Sequence, residues 1–329
     1  MSACAVRGPA RTSWLLAALL LTGCASSGPQ LTDYAGAAGS LPPRVELDAT
    51  PFFPQRDYEC GPAALATLLS ASGVATNADE LVAAVYLPGR KGSLQPELVA
   101  ATRARGRLPY VVPPTVDALL ASLAGSQPVL VLQKLGAGPW PAWHYAVLVG
   151  YDLEANEVTL RSGTTRRLTM PAAKFLWSWD RAGRWSLLAL EPGKMPPRAE
   201  PTNFLEAAAG FEAIGRDADA ALAYRAASTA WPESALPHLG LGNLAHARGD
   251  YVAAAGEYRA AVERDPADPV TAHNLAETLL LLGCPQQAKA QIEVAQRLAE
   301  SGPFAATVAA TASEIARETA RDRAECVAW

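Results

Sequence analysis

The second half of the chain repeats itself every 34 residues. Positions of the same phase carry matching residues in successive units: Gly215, Gly249 and Gly283; Ala220, Ala254 and Ala288; Tyr224, Tyr258 and Ile292; Ala227, Ala261 and Ala295. A repeat of this length is typical of a helix pair, which buries its apolar face only by stacking on its neighbours. Residues 203–302 are therefore predicted to form an all-α solenoid of three repeats, and residues 303–329 a capping helix and tail.

A second constraint is a cysteine at the start of a predicted helix. Three leucines follow Cys60 at helical spacing, and Pro62 suits the first turn, where its missing N–H is not needed. A thiol at this position faces the positive end of the helix dipole, which predicts a lowered pKa for Cys60. Gln55 lies just upstream, and its amide N–H can bind an oxyanion. These residues indicate a cysteine nucleophile.

The next indication is a histidine at the start of a predicted strand. His144 precedes the apolar run 145–151, which is typical of a buried strand. Trp140 and Trp143 stand beside it and are expected at the rim of a cleft. A cysteine at a helix start and a distant histidine are the pair that acyl transfer by a thiol requires. The imidazole takes the thiol proton and later returns it to the leaving amine.

Taken together, Gln55, the residues after Cys60 and those around His144 resemble the double-glycine-leader, bacteriocin-processing cysteine peptidases, peptidase family C thirty-nine. The resemblance covers roughly residues 45–192 and implies a papain-like fold, with a helical half that carries the cysteine and a sheet half that carries the histidine. It implies Gln55 as the oxyanion glutamine, Cys60 as the nucleophile and His144 as the base. The repeats resemble tetratricopeptide repeats. We therefore expect an α+β papain-like cysteine peptidase domain followed by an all-α tetratricopeptide-repeat solenoid.

The third catalytic residue departs from the pattern of that family. Relatives carry an aspartate on the strand after the histidine strand, and this position falls near residues 161–163 here. Ser162 is the candidate, because its hydroxyl or its backbone carbonyl can hold the imidazole, although more weakly than a carboxylate. Asp152 and Asn156 lie in the preceding turn and are alternatives if that turn folds back.

The first 23 residues are predicted to be a lipoprotein signal peptide. Two arginines precede an apolar run that is too short for a permanent membrane helix. The run ends in Leu21-Thr22-Gly23-Cys24, which resembles a bacterial lipobox, so we expect cleavage before Cys24 and acylation of its thiol. Ala25 then favours the outer membrane, facing the periplasm. An ordinary secretory signal is the alternative, and residues 24–44 form a tether in either case.

Two further cysteines are predicted to form a disulfide. Cys284 lies in the turn between the helices of the third repeat, and the capping helix runs back so that Cys326 comes close to it. An exported protein permits disulfides, and closing a loop of about 42 residues stabilises the folded state by roughly 3–4 kcal/mol in the chain-entropy model. Two unpaired thiols are the alternative.

The remaining sequence defines the boundaries of the two units. Four helices are predicted before residue 125, and strands follow near 128–132, 144–151, 157–161, 166–170 and 185–190. Residues 193–202 are rich in proline and are predicted to be a linker, so the papain-like domain occupies residues 45–192. We interpret Arg161, Arg166 and Arg167 as a solvated hairpin face, and Trp177, Trp179 and Trp185 as core.

Charge and motifs restrict the class of function. The net charge of −4 contains no basic excess, so no nucleic-acid partner is expected. The other histidines lack partners at metal-binding spacing, so no metal or cofactor is expected. The predicted function is a lipid-anchored cell-envelope cysteine peptidase that cleaves a peptide or protein substrate, anchors to a membrane through Cys24 and binds a protein partner through its repeats. A catalytically weak, papain-like peptide-binding scaffold and another acyl transfer on cell-wall peptides are the alternatives.

Overall fold

The computed structural model describes residues 28–34, 41–136, 142–300, 302–321 and Cys326. Cys24, the predicted signal peptide and Trp140 lie outside these residues. Within the described residues, no helix combines the length and the apolar character that a membrane span needs.

The first unit is an antiparallel sheet with helices on both faces. Its elements are β1 (Arg44–Glu46), α1 (Cys60–Ala71), α2 (Ala78–Val85), α3 (Gln95–Ala104), β2 (Leu108–Val111), α4 (Val116–Ala124), β3 (Val129–Leu135), β4 (Ala142–Asp152), β5 (Glu157–Ser162), β6 (Thr165–Pro171), α5 (Ala172–Asp180) and β7 (Ser186–Leu190). The strand order is β2-β7-β3-β4-β5-β6, and β1 pairs with the end of β4 that β3 leaves free. The predicted α+β class is confirmed.

Helix α1 lies inside this unit because its sequence is apolar almost all round. Residues 61–69 are all buried, as expected for a helix without a polar face. The helix packs with α2 and α3 against one face of the sheet, where Leu65 and Leu69 belong to the same buried cluster as Val147 of β4. The opposite face of the sheet packs against α4 and α5.

Three elements of this unit are not predicted from the sequence. Strands β1 and β2 have only three and four residues, which is too short for a periodic pattern. Helix α5 contains two of the tryptophans that we assign to the core. The assignment holds for Trp179, which is fully buried, but is wrong for Trp177, whose ring lies at the surface under the Arg181 guanidinium.

The second unit is the predicted stack of helix pairs. It comprises α6 (Pro201–Glu212), α7 (Asp217–Ala230), α8 (Leu236–Ala247), α9 (Tyr251–Arg264), α10 (Pro269–Leu281), α11 (Pro285–Ala299) and α12 (Ala305–Arg321). The repeated glycines end the first helix of each pair with a positive φ, a conformation that glycine adopts without strain. Each repeated tyrosine packs on a glycine of α8: a Cβ at Gly240 would meet the Tyr224 ring, and one at Gly242 the Tyr258 ring. The all-α solenoid is confirmed.

The last helix is held on the stack by polar, aromatic and covalent contacts. The His273 ring of α10 contacts the Phe304 ring at 5.1 Å between centroids, and its Nε2 lies 2.9 Å from Thr311 Oγ1. Cys284, the residue before α11, forms a disulfide with Cys326, with the two Cα atoms 4.7 Å apart. This bond connects the turn of the third repeat to the chain beyond α12.

The two units share one apolar core. Phe204 of α6 packs against Tyr110 of β2 with ring centroids 6.4 Å apart, and both belong to the same buried cluster. The Glu200 N–H donates to the Tyr110 hydroxyl at 2.9 Å, and Asn203 Nδ2 donates to the Val111 carbonyl at 2.8 Å. Residues 193–200 contain no helix or strand, yet their end is fixed against the sheet by these contacts.

Candidate active site

A cleft of about 710 Å³ brings together three residues that are far apart in the sequence. Gln55 comes from the loop before α1, Cys60 is the first residue of α1, and His144 lies near the start of β4. The cleft walls are residues 90–95 on one side and the ends of β3 and β4 on the other. Within the described part of the chain, no group of three or more His, Cys, Asp or Glu side chains is arranged to hold a metal ion.

The thiol of Cys60 lies where the helix begins, but its pKa moves in the direction opposite to the sequence-based expectation. Burial raises the pKa of Cys60, while the backbone N–H groups of Tyr145, Gly61 and Cys60 itself act to lower it. The removal of the thiolate from water outweighs these dipoles, because a buried charge loses its hydration. The prediction of a lowered pKa is therefore wrong, because burial outweighs the effect of the helix start.

His144 is positioned by its strand and by a serine. Its Nε2 lies 2.8 Å from Ser162 Oγ, and burial lowers the pKa of its imidazole. A neutral ring that donates from Nε2 to Ser162 leaves Nδ1 as the nitrogen that can accept a proton. The structure contains no hydrogen bond between the Cys60 thiol and this ring. Such catalytic hydrogen bonds are frequently long before substrate binds.

Ser162 lies beside an irregularity in its strand. In a regular strand Leu160 and Ser162 would share one face of the sheet. Instead, Leu160 packs in the core on the α5 side, whereas Ser162 lines a small cavity with Cys60. The register of β5 on β6 shifts between these two residues, and such a bulge redirects a side chain.

The two alternatives to Ser162 lie elsewhere. Asp152 Oδ1 accepts a hydrogen bond from the Ala155 N–H at 2.9 Å, within the turn after β4. Asn156 Oδ1 accepts from the Leu31 N–H at 2.8 Å, so it holds the N-terminal segment. The turn therefore does not fold back, and of the three candidates the structure brings only Ser162 to the imidazole.

Gln55 is tied to the same hairpin that carries Ser162. Its backbone N–H donates to the Gly163 carbonyl at 3.1 Å, next to Ser162 in the chain. Its side-chain Oε1 is buried and accepts no hydrogen bond. Gln55, Cys60 and Ser162 also line a second, very small cavity of about 10 Å³. The loop before α1 and the β5–β6 hairpin thus form a single support for the site.

Arg161 is a residue whose role the sequence does not reveal. We interpret it from the sequence as part of a solvated basic cluster, but its side chain is buried, with 4% of the residue exposed. Its guanidinium donates to the backbone carbonyls of Asp48, Thr50 and Arg166. The contacts join the segment before Gln55 to the strand that carries Ser162. The partners are backbone atoms distant in the sequence, so no residue pattern indicates them.

Gly61 is required because the far wall of the cleft approaches the backbone at that point. A Cβ at Gly61 would overlap the Ser93 side chain, with the Ser93 Cβ only 2.6 Å away. Ser93 is itself fixed by Tyr145, whose hydroxyl donates to the Ser93 carbonyl at 3.4 Å, while the Tyr145 ring meets Trp185 edge to face. Residue 61 must therefore lack a side chain for this wall to stand beside Cys60.

Comparison with known proteins assigns the first unit to a family. Residues 47–187 match the model of the Peptidase_C39 like family, so this stretch is a Peptidase_C39-like domain, and the predicted resemblance is confirmed there. None of the curated proteins matches the chain.

Among solved structures, the chain is similar to the type III secretion translocator chaperone SycD of Yersinia enterocolitica, with 24% identity over 36% of this chain and 83% of that one and a TM-score of 0.34. It is also similar to the first TPR of Spaghetti (RPAP3) bound to an HSP90 peptide, with 13% identity over 36% and 93% of the two chains and a TM-score of 0.34. The TPR2B domain of yeast Sti1 in complex with pHsp70 has 16% identity over 35% and 98%, with a TM-score of 0.33.

The close approach at Gly61 gives a prediction for stability. We expect Gly61→Ala to destabilise the domain by about 1–3 kcal/mol, because the new methyl group overlaps the Ser93 Cβ and the segment that carries Ser93 must shift. The additional change Ser93→Gly should restore most of this loss. The control is Gly256→Ala in α9, where a Cβ meets no atom within 4 Å and where alanine is the better helix former by up to about 1 kcal/mol. Urea unfolding of the native chain and the three variants measures their free energies of unfolding. Equal stability of Gly61→Ala and the native chain would contradict the close contact.

Proposed function

We propose that this chain is a lipid-anchored cell-envelope cysteine peptidase that cleaves peptide bonds by Cys–His acyl transfer. The observation that carries the proposal is the convergence of Gln55, Cys60 and His144 on one cleft, with Ser162 Oγ 2.8 Å from His144 Nε2. The match of this stretch to the Peptidase_C39 like family supports it. The chemistry requires a nucleophile, a base, a group that orients the base, and an oxyanion donor, and one residue of the site suits each role.

The proposed reaction begins with neutral partners. His144 Nδ1 removes the Cys60 proton as the sulfur attacks the substrate carbonyl carbon, and the resulting imidazolium donates from Nε2 to Ser162. The oxyanion accepts hydrogen bonds from the Gln55 side-chain amide and from backbone N–H at the start of α1. The imidazolium then protonates the leaving amine, the C–N bond breaks, and water hydrolyses the thioester with His144 as base.

We also propose that the repeats bind a protein partner or substrate. Stacked helix pairs present an extended surface, and this surface carries side chains that the fold itself does not need. Exposed apolar residues on the repeat helices include Leu222, Leu236, Val252 and Val270. The repeats also share a core with the sheet, so a bound partner would be held at a fixed position relative to the first unit.

A weakly catalytic or inactive peptide-binding module is the second candidate. Ser162 occupies the position of a carboxylate, and a hydroxyl stabilises the imidazolium less than an anion does. Burial raises the pKa of Cys60, so the thiolate must be formed during the reaction. These observations favour slow turnover. The proposed nucleophile, the proposed base and the proposed oxyanion donor are nevertheless all present. Loss of an orienting residue leaves residual turnover in other triads.

The experiment that separates the two candidates compares turnover of quenched fluorescent peptides by the full chain and its variants. We expect Cys60→Ala and His144→Ala each to lower kcat/KM by at least about 10³-fold, because the two residues act as a unit. His246→Ala in α8, which lies outside the cleft, is the matched control and should cleave at the native rate. The alkylation of Cys60 by iodoacetamide should also be slower in His144→Ala than in the native chain. Turnover that survives Cys60→Ala would reject the proposed nucleophile. A complete absence of turnover in the native chain would favour the peptide-binding module.

The pH dependence of turnover tests the base. Burial lowers the pKa of His144 below its ordinary value of 6.5. The imidazole therefore remains neutral, and able to accept a proton, at pH values somewhat below 6.5. The acid limb of kcat/KM should therefore lie below pH 6.5, with activity lost as pH falls through the lowered pKa. In Ser162→Asp a carboxylate favours the imidazolium, so this limb should move to higher pH while turnover at pH 8 is maintained or increased. An acid limb that does not move would show that residue 162 does not act on His144.

We further propose attachment to the outer membrane through Cys24. The support is the sequence Leu21-Thr22-Gly23-Cys24 after a short apolar run. Lipids on both the thiol and the new amino group give stable anchoring, which one chain does not. Mass spectrometry of the mature N-terminus should show acylated Cys24, and Cys24→Ser should release the chain from membranes. An unmodified N-terminus at another residue would contradict the anchor, without bearing on the peptidase.

A further inference from the structure

Two cation–aromatic pairs flank the candidate active site. Lys91 Nζ lies 5.5 Å from the centre of the Tyr58 ring, and Tyr58 precedes Cys60 by two residues. Lys134 Nζ lies 5.2 Å from the centre of the Trp143 ring, and Trp143 directly precedes His144. The two rings are more than half exposed and line the cleft. Each catalytic candidate therefore has an aromatic surface and a cation next to it.

The described residues that line the cleft carry charge of one sign only. Arg90 and Lys91 line it and are exposed, and no Asp or Glu is among the described residues that line it. Within the described residues, neither of these cations nor Lys134 has a carboxylate within ion-pair distance. Glu97 acts electrostatically on Tyr145 but does not line the cleft. A cleft with unpaired cations in a chain of net charge −4 concentrates anions locally.

The backbone holds one of these pairs in an unusual conformation. Tyr58 has φ +65° and Lys91 has φ +49°, both in the left-handed region that residues with a Cβ seldom adopt. Such conformations cost free energy and persist where the surrounding structure imposes them, often at ligand sites. Lys91 is held by the bridge between Leu87 and Gly92 and by its N–H, which donates to the Pro88 carbonyl. Both members of the pair are thus presented by constrained loops rather than by freely moving segments.

We infer that the cleft selects peptides with carboxylate side chains close to the bond to be cleaved. Arg90 and Lys91 bind a carboxylate on the Cys60 side, and Lys134 binds one on the His144 side. Tyr58 and Trp143 pack against the peptide between them. This inference rests on the proposed function for the reaction, but the selection occurs at binding and is measured without turnover.

The test uses the full chain with Cys60→Ala, so that bound peptide stays intact, and three sets of octapeptides. Their four central positions are mixtures of Gly, Ala, Ser and Leu, flanked on both sides by Glu in the first set, Gln in the second and Lys in the third. Isothermal titration should show the Glu set binding about tenfold more tightly than the Gln set, as expected for a few partly exposed ion pairs. The Lys set should bind most weakly. The preference should shrink at high salt, because salt screens exposed charges.

Charge removal identifies the responsible residues. Arg90→Gln with Lys91→Gln should reduce the preference for Glu to less than about threefold, and the addition of Lys134→Gln should abolish it. Lys174→Gln, an exposed lysine of α5 outside the cleft, is the matched control and should leave the preference unchanged. Equal affinity for the Glu and Gln sets, or a preference that survives the triple substitution, would overturn the inference.

Turnover by the native chain separates this inference from the proposed function. A binding preference for Glu without cleavage of any set would reject the peptidase and leave the charge selection intact. Cleavage of the Gln set as efficiently as the Glu set, with equal binding of both, would reject the charge selection and leave the peptidase intact.

Discussion

The register of strand β4 against its neighbours is the constraint on which the site depends. β4 carries His144 near its start, pairs with β3 along most of its length and pairs with β1 and β5 further on. Val147 of β4 faces Arg161 of β5, which places Ser162 one residue beyond the pair and close to the imidazole. A slip of one residue would exchange the two faces of the strand and separate His144 from Ser162. The apolar pattern of β4 therefore fixes a polar contact at its end.

The β5–β6 hairpin transmits this register to the rest of the site. Gly163 at its tip binds the backbone of Gln55, and Arg161 at its base binds the segment around Thr50. Gln55 and Ser162 are thus attached to a single hairpin, while Cys60 is the first residue of the buried helix α1. The apolar contacts of α1 with the sheet then set the distance between Cys60 and His144. Packing, rather than any one polar bond, holds the two halves of the site together.

The sequence predicts those parts of the molecule whose signals are local. The repeats are predicted because the same residues return at a fixed spacing, and α1 and β4 because their apolar runs are long. Ser162 contacts His144, and it stands at the position where the family resemblance implies an aspartate. The burial of Arg161 cannot be predicted in this way, because its partners are carbonyls brought near by folding. The pKa of Cys60 is predicted in the wrong direction, because the dipole of a helix start is visible in a sequence and the depth of burial is not.

The shared core of the two units has a consequence for how such a chain can be divided. Tyr110 and Leu108 of the sheet lie in the same buried cluster as Phe204, Phe211 and Tyr224 of the repeats. If the first unit were released after residue 192, these side chains of β2 would face water as an apolar patch. Proteolytic trimming or gene fission at this junction would therefore produce a fragment prone to aggregation. The repeats cover these side chains of β2, so the two units are joined by packing as well as by the segment between them.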